Sequence, residues 1–148
     1  MMSLEQEVLA IVQLVLAAVF SGLIGMDRER RDKSAGFRTH MLAGIGACLF
    51  TILSLQAFPE ADTSRVAASV VSGIGFLGAG VIVKRGGTTH DLTTAASVWS
   101  TAAVGMAVGA GAYVLAAGGT VVIWVVLEIV RRFSKDDDAK SNEAHTVK

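Results

Sequence analysis

Apolar residues lie along this chain in long unbroken blocks, not at alternating or every-third positions. No Asp, Glu, Lys or Arg occurs within 8–26, 39–59, 66–83 or 92–127. A helix that crosses a bilayer needs about 20 mainly apolar residues, and the last block is long enough for two. The pattern predicts five membrane helices, near 8–26, 40–58, 66–83, 92–109 and 113–130. Together they make residues 1–130 an all-α integral membrane bundle. A soluble helical bundle would need a polar stripe repeating at the helical period, and none of these blocks carries one. Pro59, the only proline, stands where the second helix is expected to stop. Residues 131–148 are polar and are expected to be disordered after the first few positions.

Charge adds a direction. Of the 148 residues 18% are charged, below the usual ~25%. The basic residues are sorted. Arg28, Arg30, Arg31, Lys33 and Arg38 follow the first helix. Lys84 and Arg85 follow the third, and five more lie beyond the fifth; Arg65 alone falls on the other side. Twelve of thirteen on one side is a positive-inside signal. It predicts the N-terminus outside, the C-terminus in the cytoplasm, and an odd number of crossings. Glu5 and Glu7 precede the first helix and basic residues follow it, so it reads as a retained helix and not as a cleaved signal peptide. Topology accounts for the basic residues, so nucleic acid is not implied. Cys48 is alone, which excludes an intrachain disulfide and a cysteine metal cluster.

Within the third helix, Gly73, Gly75 and Gly78 match the spacing of a dinucleotide-binding loop. That loop needs a strand before it and a helix after it; an uncharged membrane helix supplies neither. Small residues have another use in a membrane, where they let backbones approach closely. Similar stripes run through the first helix (Ala17, Ser21, Gly25), the second (His40, Gly44, Cys48) and the fourth (Ser97, Thr101, Gly105, Gly109). Two readings stand. Gly73, Gly75, Gly78, Gly80, Ser97, Thr101 and Gly105 pack helices together, or they line a path for an ion.

Mid-membrane carboxylates of the kind that relay protons are absent from the sequence, and titratable groups gather at one rim. Asp27, Arg28 and Glu29 end the first helix. Arg38, Thr39 and His40 open the second, and Asp91, Thr93 and Thr94 open the fourth. Asp27 and Glu29 offer hard oxygen ligands to a divalent cation, and Thr93 or Thr94 can cap the fourth helix. A solvated helix end or a structural ion-pair cluster explains the same residues. In the paired version Arg38 is expected within salt-bridge reach of Asp27 or Glu29. No nucleophile stands beside a base, so no enzyme and no resident cofactor is expected.

Four blocks in register resemble the MgtC/SapB family of bacterial inner-membrane proteins. They are Gly22-Leu-Ile-Gly-Met-Asp-Arg-Glu29, Ala35-Gly-Phe-Arg-Thr-His40, Val71-Ser-Gly-Ile-Gly-Phe-Leu-Gly-Ala-Gly80, and Leu92-Thr-Thr-Ala-Ala-Ser-Val-Trp99. The resemblance spans about residues 16–113. It implies five membrane helices, a bacterial inner membrane, and a link to magnesium homeostasis and to survival in acid or inside host cells. For the family a regulatory role is favoured over transport, and one member is associated with restraint of the F-type ATP synthase. A small ion channel or transporter is the alternative. Two departures stand out: Asp27 replaces the usual Glu, and Asp91 replaces a common Gly before Leu-Thr-Thr. Besides the lipid bilayer, the expected partner is a second copy, in a twofold homodimer joined through the third or fourth helix.

Overall fold

A computed structural model describes the backbone of residues 2–57, 62–85 and 87–146, and side chains up to residue 129 except at 85. Pro59 and the side chains of the last basic residues lie outside that range. Five helices and a small hairpin follow in order: α1 (Leu4–Glu29), α2 (Phe37–Gln56), α3 (Thr63–Val81), β1 (Val83–Arg85), β2 (Thr88–His90), α4 (Leu92–Gly109) and α5 (Tyr113–Thr146). The first four helices are long and apolar enough to cross a membrane, and α5 begins with a shorter apolar stretch, Tyr113–Ile129. The segment between α3 and α4 is the antiparallel hairpin β1–β2. The disorder expected beyond residue 131 is corrected, since the backbone of α5 stays helical to Thr146. No Gly or Pro follows Gly119, so nothing in the polar segment interrupts a helix already begun.

Local signals set the helix ends. Ser3 caps α1 in a reciprocal box with Gln6, satisfying two free N–H groups. Asp62 caps α3, accepting from Ser64 N at 3.0 Å. The Ser64 backbone and hydroxyl bonds hold the Asp62 carboxyl below its usual pKa. At the end of α4, Gly111 takes φ +77. Its N–H donates to Val108 O and that of Ala112 to Ala107 O, at 2.9 and 2.8 Å. That double closure is a Schellman motif, which glycine makes without steric cost.

The helix α4 lies at the centre and packs against α1, α2, α3 and α5. Its neighbours α1 and α2 pack on each other as well, and α3 rests against α4 and α2 from outside. One core cluster joins Ala17 and Ile24 of α1, Cys48 and Ile52 of α2, and Val104 and Val108 of α4. A second joins Ala47, Val70, Ile74 and Ala102. The outer surface exposes large apolar side chains such as Val15, Leu42 and Phe76. In water such a surface would be far above the normal patch size; against lipid it is the ordinary exterior.

The small-residue stripes of α1, α2 and α4 are all buried, and they meet. A Cβ on Gly105 would fall 2.1 Å from Gly44 O, and one on Gly109 2.6 Å from Cys48 O. Likewise a Cβ on Gly44 would lie 1.8 Å from Ser21 Oγ. The backbones of α2 and α4 therefore touch with nothing between them. Ser97, Thr101 and Gly105 are buried in that contact, whereas Gly73, Gly75 and Gly80 have open space where a side chain would be. The two sets sit on different surfaces of the bundle. Gly78 is buried beside Ala95.

Gly105→Ala should force α2 and α4 apart and destabilise the bundle by about 1–3 kcal/mol, the cost of overpacking. Gly118→Ala, with nothing within 4 Å, should leave stability within about 1 kcal/mol of the parent. Thermal unfolding of both variants in one detergent checks the contrast.

Candidate functional site at the charged rim

Three helix ends converge at one rim: the C-terminus of α1 and the N-termini of α2 and α4. Arg28 is 4% exposed, and its Nη2–H donates to Thr94 Oγ1 at 3.2 Å. The Thr94 hydroxyl then donates to Asp91 Oδ1 at 3.0 Å. This relay gives a buried cation a route to a carboxylate it does not touch. A buried charge without such compensation would be strongly unfavourable. Asp91 sits in the left-handed region at φ +64, where Gly is easiest and Asp or Asn is tolerated. The backbone here thus favours Gly, and Asp91 adds a side chain that reaches Thr94.

His40 is fully buried. Its Nδ1 lies 2.8 Å from Gly36 O and its Nε2 lies 3.0 Å from Ser97 Oγ. A carbonyl only accepts, so Nδ1 carries a hydrogen. Ser97 Oγ is also 2.7 Å from Thr94 O, and a hydroxyl has one hydrogen to give. With that hydrogen on Thr94 O, Nε2–H must donate and the ring is an imidazolium. With it on Nε2, the ring is neutral and Thr94 O loses this bond. His40 thus ties α2 to α4 in either protonation state.

Glu29 has a different task. Its Oε2 accepts from the Phe37 backbone N–H at 2.5 Å, serving the start of α2 from the end of α1. Gly36, the N-cap, offers no side-chain cap, and a Cβ there would fall 2.5 Å from Glu29 Oε2. Gly25 is similarly required, since its Cβ would lie 2.8 Å from His40 Cβ and 2.9 Å from Phe37 Cα.

Asp27 belongs to a third group. Arg31 Nε and Nη2 donate to Asp27 Oδ1 at 2.8 and 2.5 Å, and Nη2 also donates to Glu128 Oε2 on α5. Partial burial works against the Arg31 charge, but these hydrogen bonds outweigh it and raise its pKa above the usual value. The expected pairing of Arg38 is thereby corrected. Arg38 is exposed and makes no salt bridge among the described residues. The physical reason is register: Arg31 lies one helical turn past Asp27 and already holds it, while Arg38 begins a new helix on an outward face.

The rim residues thus divide among separate tasks. Arg28, Thr94, Asp91, His40 and Ser97 join α1, α2 and α4. Thr39 and Thr93 are exposed, and Thr39 borders an apolar groove between α2 and α3. Asp27 and Glu29 turn to different partners, and no group of three or more His, Cys, Asp or Glu side chains converges among the described residues. Arg31 and Glu128 were missed from sequence. The signals were present: the i,i+4 spacing from Asp27, and a single carboxylate, Glu128, at the end of the long uncharged block.

A family model described as the MgtC family matches residues 14–136. The chain is 46% identical over 132 residues to the Escherichia coli K12 protein titled "Putative magnesium transporter YhiD", covering 84% of this chain and 61% of that one. It is 45% identical over 115 residues to "Protein MgtC" of Brucella abortus, covering 78% and 48%. Against "Protein MgtC" of Salmonella typhimurium it is 41% identical over 113 residues, covering 76% and 48%. The chain therefore spans about half to three-fifths of the length of these relatives. No solved structure matches.

Thr94→Val removes both the acceptor for Arg28 and the donor to Asp91 while keeping the shape. It should cost about 1–3 kcal/mol, the penalty of unsatisfied buried polar groups. Thr93→Val, on an exposed position, should cost less than about 0.5 kcal/mol. Chemical or thermal unfolding in detergent reads the difference.

Proposed function

The chain belongs to the MgtC family, and on that premise we propose that it is a bacterial inner-membrane protein that takes part in magnesium homeostasis as a regulator and not as a conduit. All five helices cross the bilayer in this reading, with the charged rim and the C-terminus in the cytoplasm. The sorting of twelve basic residues to one side supports that orientation. The observation that carries the regulatory role is the close packing of α2 on α4. Gly44, Gly105 and Gly109 bring the two backbones into contact through the middle of the bundle, which leaves no ion path between α2 and α4. The buried rim relay from Arg28 to Asp91 holds the same helices together, so a partner or ion that alters the rim acts on the whole bundle. Magnesium enters from the name of the Escherichia coli relative. Action through a membrane partner such as the F-type ATP synthase, and a role in survival under acid or host stress, come from the family resemblance. The test is reconstitution of the purified protein alone in liposomes loaded with a magnesium indicator. The expected result is magnesium entry no faster than in protein-free liposomes. Entry that scales with protein content and is lost in Ser97→Leu would establish the transporter reading instead.

A homodimer belongs to the same proposal, with its contact narrowed to α3. The small residues of α4, Ser97, Thr101, Gly105 and Gly109, are buried inside the bundle, so that stripe is not open to a second copy. Ser69, Ser72, Gly73 and Gly80 of α3 are exposed, Ser69 and Gly73 along the groove beside α2, which suits close approach of an identical helix. Single cysteines at 73 or 80, on a Cys48→Ala background, should crosslink in native membranes, whereas one at 101 should not. Equal crosslinking at all three positions, or none at 73 and 80, would remove α3 as the contact.

A further inference from the structure

Between the rim ends of α1 and α5 lies a cavity of about 670 Å³ that the relay around Arg28 does not use. Its apolar wall is formed by Leu23, Val121 and Trp124, and its polar end by Asp27, Arg30, Arg31 and Glu128. Leu23 and Val121 are also exposed on the outer, apolar surface, so this wall continues onto the face that meets lipid tails. Two carboxylates and two guanidinium groups leave the polar end with both signs and no net charge. The Arg31 Nη2 bridge to Asp27 and Glu128 consumes part of that capacity. Asp27 Oδ2 and Arg31 Nη1 remain buried without a hydrogen-bond partner, one an acceptor and the other a donor. Arg30 is exposed; its Nη2–H meets Met26 Sδ at 3.8 Å, and no carboxylate pairs with it among the described residues.

We propose that this cavity binds the headgroup of a zwitterionic, primary-amine phospholipid, phosphatidylethanolamine, with its acyl chains along Leu23, Val121 and Trp124. The phosphate lies against Arg30, which is exposed. The ammonium donates to the Asp27 carboxylate at the polar end of the cavity, and it lies near the Trp124 ring, where a cation is also favoured. A quaternary choline has no N–H to give Asp27, and a phosphatidylglycerol headgroup brings no cation to the two carboxylates. Basic pockets between membrane helices are known lipid headgroup sites; here the added carboxylates select for a headgroup that is itself of both signs. The site requires the bilayer but not the regulatory role, so the two stand or fall separately.

The test uses Trp124 as the reporter, in full-length protein carrying Trp99→Phe. The protein is reconstituted in phosphatidylcholine vesicles containing small fractions of lipid brominated on the tails. Brominated phosphatidylethanolamine should quench Trp124 at a mole fraction about tenfold lower than brominated phosphatidylcholine or phosphatidylglycerol, the scale of one charge-assisted hydrogen bond. Arg30→Gln, which touches no ion pair, should erase that preference while the circular dichroism spectrum stays unchanged. Soluble phosphoethanolamine should not relieve the quenching. Equal quenching by the three lipids would mean ordinary boundary lipid and overturn the proposal. A preference for phosphatidylglycerol would overturn its charge argument, and relief by phosphoethanolamine would assign the cavity to a soluble ligand. A preference that survives Arg30→Gln would overturn the assignment of the phosphate.

Discussion

Backbone contact between α2 and α4 is the constraint on which the other arrangements depend. Apolar burial drives little helix association inside lipid, because the tails are as apolar as the side chains they replace. What remains is dispersion over closely matched surfaces and hydrogen bonds between helices. Dispersion falls off within a fraction of an ångström of separation, so the helices gain most where side chains are absent. Gly44, Gly105 and Gly109 provide that absence. Ala17 and Ser21 of α1 and Ala47 and Cys48 of α2, all buried, extend the same close approach around α4.

Polar bonds then lock the register that the glycines permit. Gln13 Nε2–H donates to Val108 O at 3.0 Å across α1 and α4, and His40 meets Ser97 at 3.0 Å across α2 and α4. Each is a bond between helices in a region where an unsatisfied group has no water to turn to. Sliding either helix by a residue would lose these bonds and bring Cβ atoms into the glycine contacts at once. Packing and polar satisfaction therefore select the same register, which is the consistency expected of a sequence that specifies one structure.

The rim shows how three neighbouring charged residues on one helix acquire unrelated tasks. Asp27, Arg28 and Glu29 are consecutive, so at about 100° per residue they point in different directions. Arg28 turns inward to α4, Glu29 turns to the start of α2, and Asp27 turns toward α5 through Arg31. A short run of charge that reads as a solvated helix end is instead the junction of four helices. α3 stands apart from this junction, which is why Gly73, Gly75 and Gly80 remain uncovered.

The helical architecture and the stripes that meet were legible in the sequence, because both follow from composition within one segment: length of uncharged block, and small residues four apart. Chain order alone also placed Asp27, His40 and Thr94 at one rim. Which rim groups pair was not legible. Chain order puts Arg38, at the mouth of the next helix, on the same rim as Asp27 and Arg31; in the structure Asp27 pairs with Arg31, one turn away and bonded to Glu128 as well. The left-handed backbone at Asp91 was hidden in the same way, since its sign depends on how the hairpin β1–β2 hands the chain to α4. The small residues of α3 resemble those of α4 letter for letter in kind, yet one set is buried and the other is not. Sequence determined which faces could come close, because that depends on side-chain size. Tertiary structure decided which faces did, because the small-residue face of α4 turns inward onto α2 while α3 lies at the edge of the bundle.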